Sequence, residues 1–225
     1  MRIVVTGASR GIGLELVKQL LARGDVVDAA VRDPDRATDL RALERPTLHV
    51  HRCDVTDQAS VDSLARAIAA PVDVVINNAG INLPRQKLTD LDLAATLELY
   101  ATNAIGPLRV THALLPHVRR GTVKKLVHVT SGMGSIADNQ RGESYGYRMS
   151  KAALNMMSKS LAVDLRGEGI VSFVINPGWV KTDLGGTSAP TPVGDSARGI
   201  LARIDEATLE TSGSFLNWSG GTYPW

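Results

Sequence analysis

The chain has 225 residues, 44% of them hydrophobic and 21% charged, and a formal net charge of +2. This is globular composition, and Lys and Arg are scattered rather than blocked, which argues against a nucleic-acid surface. No apolar run approaches the roughly 18 residues of a membrane span, and the start of the chain shows no basic-then-apolar leader pattern.

Apolar runs alternate with helical patterns along the chain. Residues 3–6 read as a short buried strand, followed by a helix over 11–23 with Ile12, Leu16, Leu20 and Leu21 on one face. A second strand covers 26–31. Asp33-Pro34 opens a helix ending near Leu43, because Pro suits the first helical turn. A third strand spans 47–51, a helix 56–69, and a fourth strand 72–77. A long helix is expected from Leu93 to Val118, a fifth strand over 125–130 and a helix over 147–165. A sixth strand spans 170–175, a last helix lies near 193–204, and 213–216 is a final short strand. Strands such as Val74-Val75-Ile76 are apolar without alternation, as strands buried on both faces are. Repeated strand–helix units predict one α/β domain over 1–225. Its fold is a Rossmann-type, doubly wound and mostly parallel sheet of about seven strands, with ligands beyond the strands' carboxyl ends. Asp28 breaks the pattern as a charge inside an apolar strand, and His49 or His51 on the next strand is its expected partner. Cys53 is the sole cysteine, which excludes an intramolecular disulfide and suits a reducing, cytoplasmic setting. Its simplest role is a small buried apolar residue.

Three glycines follow the first strand directly and open the first helix. Gly7 permits a tight turn, Gly11 a close backbone approach, and Gly13 close packing of helix on strand. A pyrophosphate would then meet the positive end of the helix. An acidic residue closing the second strand would select NAD. Here Val31 holds that place and Arg32 follows it, with Arg10 in the glycine loop within reach of the same point. Two guanidinium forks predict a 2′-phosphate and hence NADP(H). Asp33 is the rival, one residue on and expected to face away.

Tyr147 and Lys151 lie four residues apart and so share a helix face. An ammonium beside a phenol favours the phenolate and lowers its pKa, so the pair is expected to exchange a proton with a carbonyl or alcohol oxygen. Tyr145, with Met149 four residues on, lacks the lysine and reads as a pocket wall or loop anchor. Pro107 lies four residues after Asn103 and carries no N–H. The Asn103 carbonyl is therefore either freed for a water or part of a kink that fits helix to sheet. No Cys/His cluster has metal-ligand spacing, so no metal is expected.

Taken together, the glycine loop at 6–13, Asn77-Asn78-Ala79-Gly80, Asn103, Ser131, Tyr147 with Lys151, and Pro177-Gly178-Trp179-Val180-Lys181-Thr182 resemble the short-chain dehydrogenase/reductase family across essentially the whole chain. Arg32-Asp33-Pro34, Tyr145-Gly146-Tyr147 and the segment 221–225 are most similar to its C-factor-like and sniffer-like carbonyl reductases. The resemblance implies Tyr147 as acid/base, with Lys151 lowering its pKa and holding the nicotinamide ribose. It implies Ser131, rather than Thr130, as the hydrogen-bond partner of the substrate carbonyl, and Asn103 as support for a water linking Lys151 to solvent. It places Gly7, Ser9, Arg10, Gly11, Ile12, Gly13 and Arg32 on the cofactor, Asp54 and Val55 beside the adenine, and Asn78, Ala79 and Gly80 along the cleft. Tyr147, Lys151, Pro177, Gly178, Val180 and Thr182 complete the cofactor set. The implied reaction is NADPH-dependent reduction of a small-molecule aldehyde, ketone or quinone. Alcohol oxidation at the same site, or an NADP(H)-binding signalling protein with little turnover, are the alternatives.

The short Gly/Ser/Thr/Pro-rich segment from Asp183 to about Pro192 suggests a small or mobile lid. Leu83, Met133, Tyr145, Trp179 and Leu184 are candidate apolar walls. The helix after Lys151 carries a stripe from Ala152 to Leu165 wider than one sheet-facing surface requires. A homodimer through the helices at 93–118 and 147–165 is expected from it, and the family resemblance agrees.

Overall fold

In the computed structural model, which describes residues 1–83 and 86–225, seven strands form one sheet in the order β3-β2-β1-β4-β5-β6-β7. They are β1 (Arg2–Thr6), β2 (Val26–Val31), β3 (Leu48–Arg52), β4 (Val74–Asn77), β5 (Lys125–Val129), β6 (Val171–Asn176) and β7 (Phe215–Asn217). Every pairing between neighbouring strands is parallel. Helices α1 (Gly11–Ala22) and α7 (Val193–Glu206) cover one face, where Leu16, Leu20, Ile200 and Ile204 pack on Val5, Ile76 and Phe173. Helices α3 (Gln58–Ala67) and α5 (Gly106–Arg120) cover the other, with Val61, Leu64, Val110 and Leu114 on Val4, Val75 and Leu126. Helix α4 (Leu93–Tyr100) and the long α6 (Tyr145–Asp164) complete that side. Both faces are therefore buried, which is why the strands read as continuous apolar runs. The strand order reverses between β1 and β4, and the crevice beyond their carboxyl ends is the fold's ligand position.

Three elements differ from the sequence reading. The helix expected over 33–43 shrinks to one turn, α2 (Thr38–Arg41). The Asp33 side chain accepts from the Asp35 N–H at 3.1 Å, so a local side-chain turn competes with helix exactly where Pro34 was expected to start one. The long helix from Leu93 is interrupted by a π turn over Ala101–Ile105, in which the Gly106 N–H reaches back five residues to the Ala101 carbonyl. Helix α6 begins at Tyr145 rather than Tyr147, so both tyrosines stand on it.

Asp28 is wholly buried and meets the Arg2 guanidinium Nε and the His51 imidazole Nε2, each at 2.8 Å. Burial favours the protonated acid, but these partners outweigh it and hold the carboxyl below the ordinary value. Register pairs Asp28 with His49 across the strands, yet His51, two residues on and on the same face, makes the contact. Cys53 is buried, and burial pushes its thiol up to about 11, as befits an inert apolar filler.

Candidate active site

The loop after β1 is built from backbone. Gly7 and Gly11 hold φ of +66° and +55°, the left-handed region that a side chain resists. A Cβ on Gly13 would lie 2.2 Å from the Gly7 carbonyl oxygen, so only glycine lets α1 sit this close to the strand end. Thr6 and Asn78 fasten the two sides of the crevice. Thr6 Oγ1 accepts from the N–H groups of Asn78 and Ala79, both at 3.1 Å, and Asn78 Nδ2 donates to the Thr6 and Gly7 carbonyls at 3.0 and 3.2 Å. The result is a cradle at the N-terminus of α1, with Ser9 and Ile12 in the turn between its glycines, and it fits a pyrophosphate.

Around that cradle the remaining cofactor candidates are placed as follows. Thr182 packs against Gly11, its Cγ2 3.4 Å from where a Cβ would stand, and accepts the Gly185 N–H at 3.2 Å. Pro177 and Gly178 follow β6, and Val180 bridges to Thr191, which ties down the far end of the lid segment. Asp54 is turned on its own loop by Thr56, whose N–H and hydroxyl donate to it at 2.9 and 2.7 Å. Val55 is buried against Gly106. Arg32 is exposed and near enough to Asp54 to favour its ionised form. Arg10 does not share a partner with Arg32: it pairs with Asp183 of the lid at 3.0 Å, both side chains well exposed. Asp33 is engaged by Arg52 at 3.8 Å and by its own loop.

Across the crevice, β5 delivers Ser131 and α6 delivers Tyr147 and Lys151. Ser131 Oγ accepts the Met133 N–H at 3.1 Å and lies close enough to the Tyr147 hydroxyl to pull its pKa down. Thr130 turns inward, donating to Asn155 Oδ1 at 2.7 Å, so it is a packing residue and Ser131 is the one that reaches Tyr147. Lys151 is almost wholly buried. Its Nζ donates to the Val129 carbonyl at 2.9 Å and stands 5.9 Å from the centre of the Tyr147 ring. The expected lowering of the phenol by this ammonium is not what the arrangement produces. Burial raises the Tyr147 phenol above its ordinary value, with the Ser131 hydrogen bond pulling the other way. The ammonium itself is pushed down to about 8 by burial. At neutral pH the site therefore holds a protonated phenol beside a buried cation.

Asn103 stands inside the π turn. Its side chain is used on the loop after β4: Oδ1 accepts the Ile81 N–H at 2.9 Å, and Nδ2 donates to the Ile81 carbonyl at 2.9 Å and to Ser150 Oγ at 3.1 Å. Gly80 passes between Asn103 and Lys151, and a Cβ there would lie 3.3 Å from Asn103 Oδ1 and 3.6 Å from Lys151 Nζ. The residue four positions after Asn103 is Pro107, so the Asn103 carbonyl lacks its regular helical donor. Asn103, Gly80, Ser131, Tyr147 and Lys151 are thus gathered at one end of the crevice.

A small cavity opens beside Tyr147, lined by Asn82, Leu83, Gln86, Leu99, Ser144 and Gly146. Of the expected apolar walls only Leu83 lines it. Trp179 and Leu184 are exposed, and the Trp179 indole donates to the Gly185 carbonyl at 2.7 Å within the lid. The sequence reading passed over Asn176, whose Oδ1 accepts from the Gly132 and Gly178 N–H groups at 3.0 and 3.2 Å and so joins the loops after β5 and β6. A polar residue closing a largely apolar strand is the available signal. Among the described residues no His/Cys/Asp/Glu group is placed to hold a metal ion.

Comparison with known proteins gives the family. The family model for short chain dehydrogenase matches residues 1–192. The C-signal protein of Myxococcus xanthus is 50% identical over 155 residues, covering 69% of this chain and 93% of its own. An NADPH-bound carbonyl reductase from chicken fatty liver superposes with a TM-score of 0.95 at 36% identity, over 100% of this chain and 98% of its own. The carbonyl reductase Sniffer of Drosophila melanogaster gives 0.95 at 31% identity, over 100% and 99%. The chain belongs to the short-chain dehydrogenase family.

Proposed function

We propose that this chain is an NADPH-dependent oxidoreductase that reduces an aldehyde, ketone or quinone, with Ser131, Tyr147, Lys151 and Asn103 as its catalytic group. The observation that carries this reading is the buried Lys151 ammonium 5.9 Å from the Tyr147 ring, with Ser131 beside the phenol, facing a glycine cradle across one crevice. Burial keeps the Tyr147 phenol protonated at neutral pH, so it meets the carbonyl as a proton donor rather than a base. Ser131 orients the carbonyl oxygen, and Tyr147 gives it a proton. Lys151 keeps a positive charge where oxyanion character develops, and Asn103 holds the loop at Ile81 that backs it. Gly7, Gly11, Gly13, Asn78, Thr182 and Arg32 hold the cofactor, which when bound supplies the hydride. Likeness to the NADPH-bound chicken enzyme supports the cofactor assignment.

Replacing Tyr147 by Phe is expected to leave NADPH binding intact and to lower carbonyl turnover about 10²–10⁴-fold, the usual weight of a positioned acid. Undiminished reduction in a screen of aldehydes, ketones and quinones overturns the reading. A second reading, a nucleotide-binding signalling protein with little turnover, is favoured by the likeness to C-signal. It predicts NADPH binding with no carbonyl reduced by the unaltered chain.

The unpartnered apolar stripe supports a homodimer. Met149, Met156 and Val163 stand exposed at seven-residue spacing on α6, with Leu93 and Leu97 exposed on the adjacent α4. A monomeric mass at micromolar concentration counts against it. No helix among the described residues is long and apolar enough to cross a membrane. The lone buried thiol of Cys53 suits a cytoplasmic site of action.

A further inference from the structure

Gly142, Glu143 and Ser144 hold φ of +61°, +56° and +48° in succession, immediately ahead of α6. Glycine enters the left-handed region freely, but a residue with a Cβ is strained there. Such strain persists only where the surroundings enforce it, and it gathers at active sites. Tyr147 lies three residues beyond.

Arg148 enforces it. Its Nε donates to the Gly142 and Glu143 carbonyls at 3.1 and 3.2 Å, and its Nη1 to the Met133 carbonyl at 3.5 Å. Its own N–H closes the first helical turn on the Ser144 carbonyl at 3.0 Å. A cation in the first turn opposes the helix dipole, so this position is locally unfavourable and is offset by carbonyls lying outside the helix. The Ser144 N–H continues the chain of contacts to the Gln86 carbonyl at 2.9 Å. Gln86, Ser144 and Gly146 line the cavity beside Tyr147, and Met133 follows Ser131 by two residues. One guanidinium therefore joins the strained turn to the Ser131 loop, and Ser144 joins it to the loop at Gln86.

We propose that Arg148 is a positioning residue: by holding the left-handed turn at 142–144 it sets the pocket wall in which the carbonyl lies against Tyr147. It works through backbone carbonyls, and only a fork of donors can serve all three, so Lys is a poor replacement. The inference rests on the reading of Tyr147 as proton donor to a carbonyl.

The test pairs Arg148→Met and Arg148→Lys with Ser144→Gly. Gly takes a φ of +48° without a Cβ, and the Ser144 side chain makes no capping bond, so it loses little there. Arg148→Met is expected to raise KM for an accepted carbonyl about tenfold, with a smaller change in kcat and an unchanged Kd for NADPH, as loss of charge-assisted hydrogen bonds outside the reacting centre should. Arg148→Lys should fall between. Ser144→Gly should restore most of the loss in Arg148→Met, with KM of the double variant read against that of Ser144→Gly alone. Hydrogen–deuterium exchange of the peptide over 142–148 should quicken in Arg148→Met and slow again in the double variant. If the unaltered chain reduces no carbonyl, the reading of Tyr147 fails, and the exchange result alone decides on Arg148. Unchanged KM and exchange in Arg148→Met overturn the proposal. A KM loss that Ser144→Gly does not reverse also overturns it, because the guanidinium would then act on substrate. So does weakened NADPH binding, which marks general loosening.

Discussion

The two ends of the crevice are built on opposite principles. At the phosphate end the fixed parts are uncharged: glycine backbone, Thr6 and Asn78, with the charges, Arg10 and Arg32, out in solvent. At the chemical end the charge is inside, and burial has moved both titrating groups, Tyr147 up and Lys151 down to about 8. Exposed charges are screened and individually weak, so they suit choice between similar cofactors. Buried charges interact strongly and respond to pH, so they suit proton transfer. The first end should be sensitive to salt and charge reversal, the second to pH.

The larger of the two effects that test this contrast separates the two cofactors at the exposed end. Arg32→Asp replaces attraction for a 2′-phosphate with repulsion and should weaken NADPH on the order of 10- to 150-fold, from charge-assisted contacts of about 1.5–3 kcal/mol. NADH, lacking that phosphate, should change little. Titration of both nucleotides at low and moderate salt checks this, and the discrimination should shrink as salt rises. Equal weakening of both nucleotides removes the arginine from cofactor choice and breaks the contrast. Arg10 should matter less, because Asp183 competes for it at 3.0 Å.

How much of this was legible follows the same division. The glycine cradle was readable because its requirement is local: Gly7 and Gly11 turn the chain, and Gly13 touches a carbonyl six residues back. The alternation of strands and helices was readable because both sheet faces are buried. Side chains that act at long range were not. Nothing near Asn176 in sequence says that it fastens Gly132, 44 residues away. The chain of Asn77, His128 and Ser172 across three strands lies hidden within runs that look simply apolar. The spacing of Tyr147 and Lys151 gave their shared face, but not the balance of burial against charge. That balance depends on how completely the fold excludes water, and it reversed the expected direction for the phenol. Arg10 was legible as a cation near the cofactor, not as the partner of Asp183, 173 residues on.

The buried end is best sharpened by pH, where rate and stability should move in opposite directions. Burial holds the Lys151 ammonium at about 8, against an ordinary value of 10.5. Below 8 it is charged, and above 8 it becomes neutral, while Tyr147, raised above its ordinary 10, stays protonated. Carbonyl reduction should therefore be level below about pH 7 and fall toward tenfold per unit above about 8, as the fraction of charged Lys151 declines. The stability sign is the reverse. A lysine whose folded value lies below its unfolded one burdens the fold while it is charged, and that burden lifts as pH climbs from about 8 toward 10.5. Between pH 8 and 10, thermal unfolding should therefore gain from this group while turnover falls. Measuring both on one preparation separates loss of a charge from loss of structure. If kcat/KM holds level to pH 10, the ammonium is not what the reaction uses. If activity and melting temperature fall together, the decline is unfolding, and the two ends differ less than their burial implies.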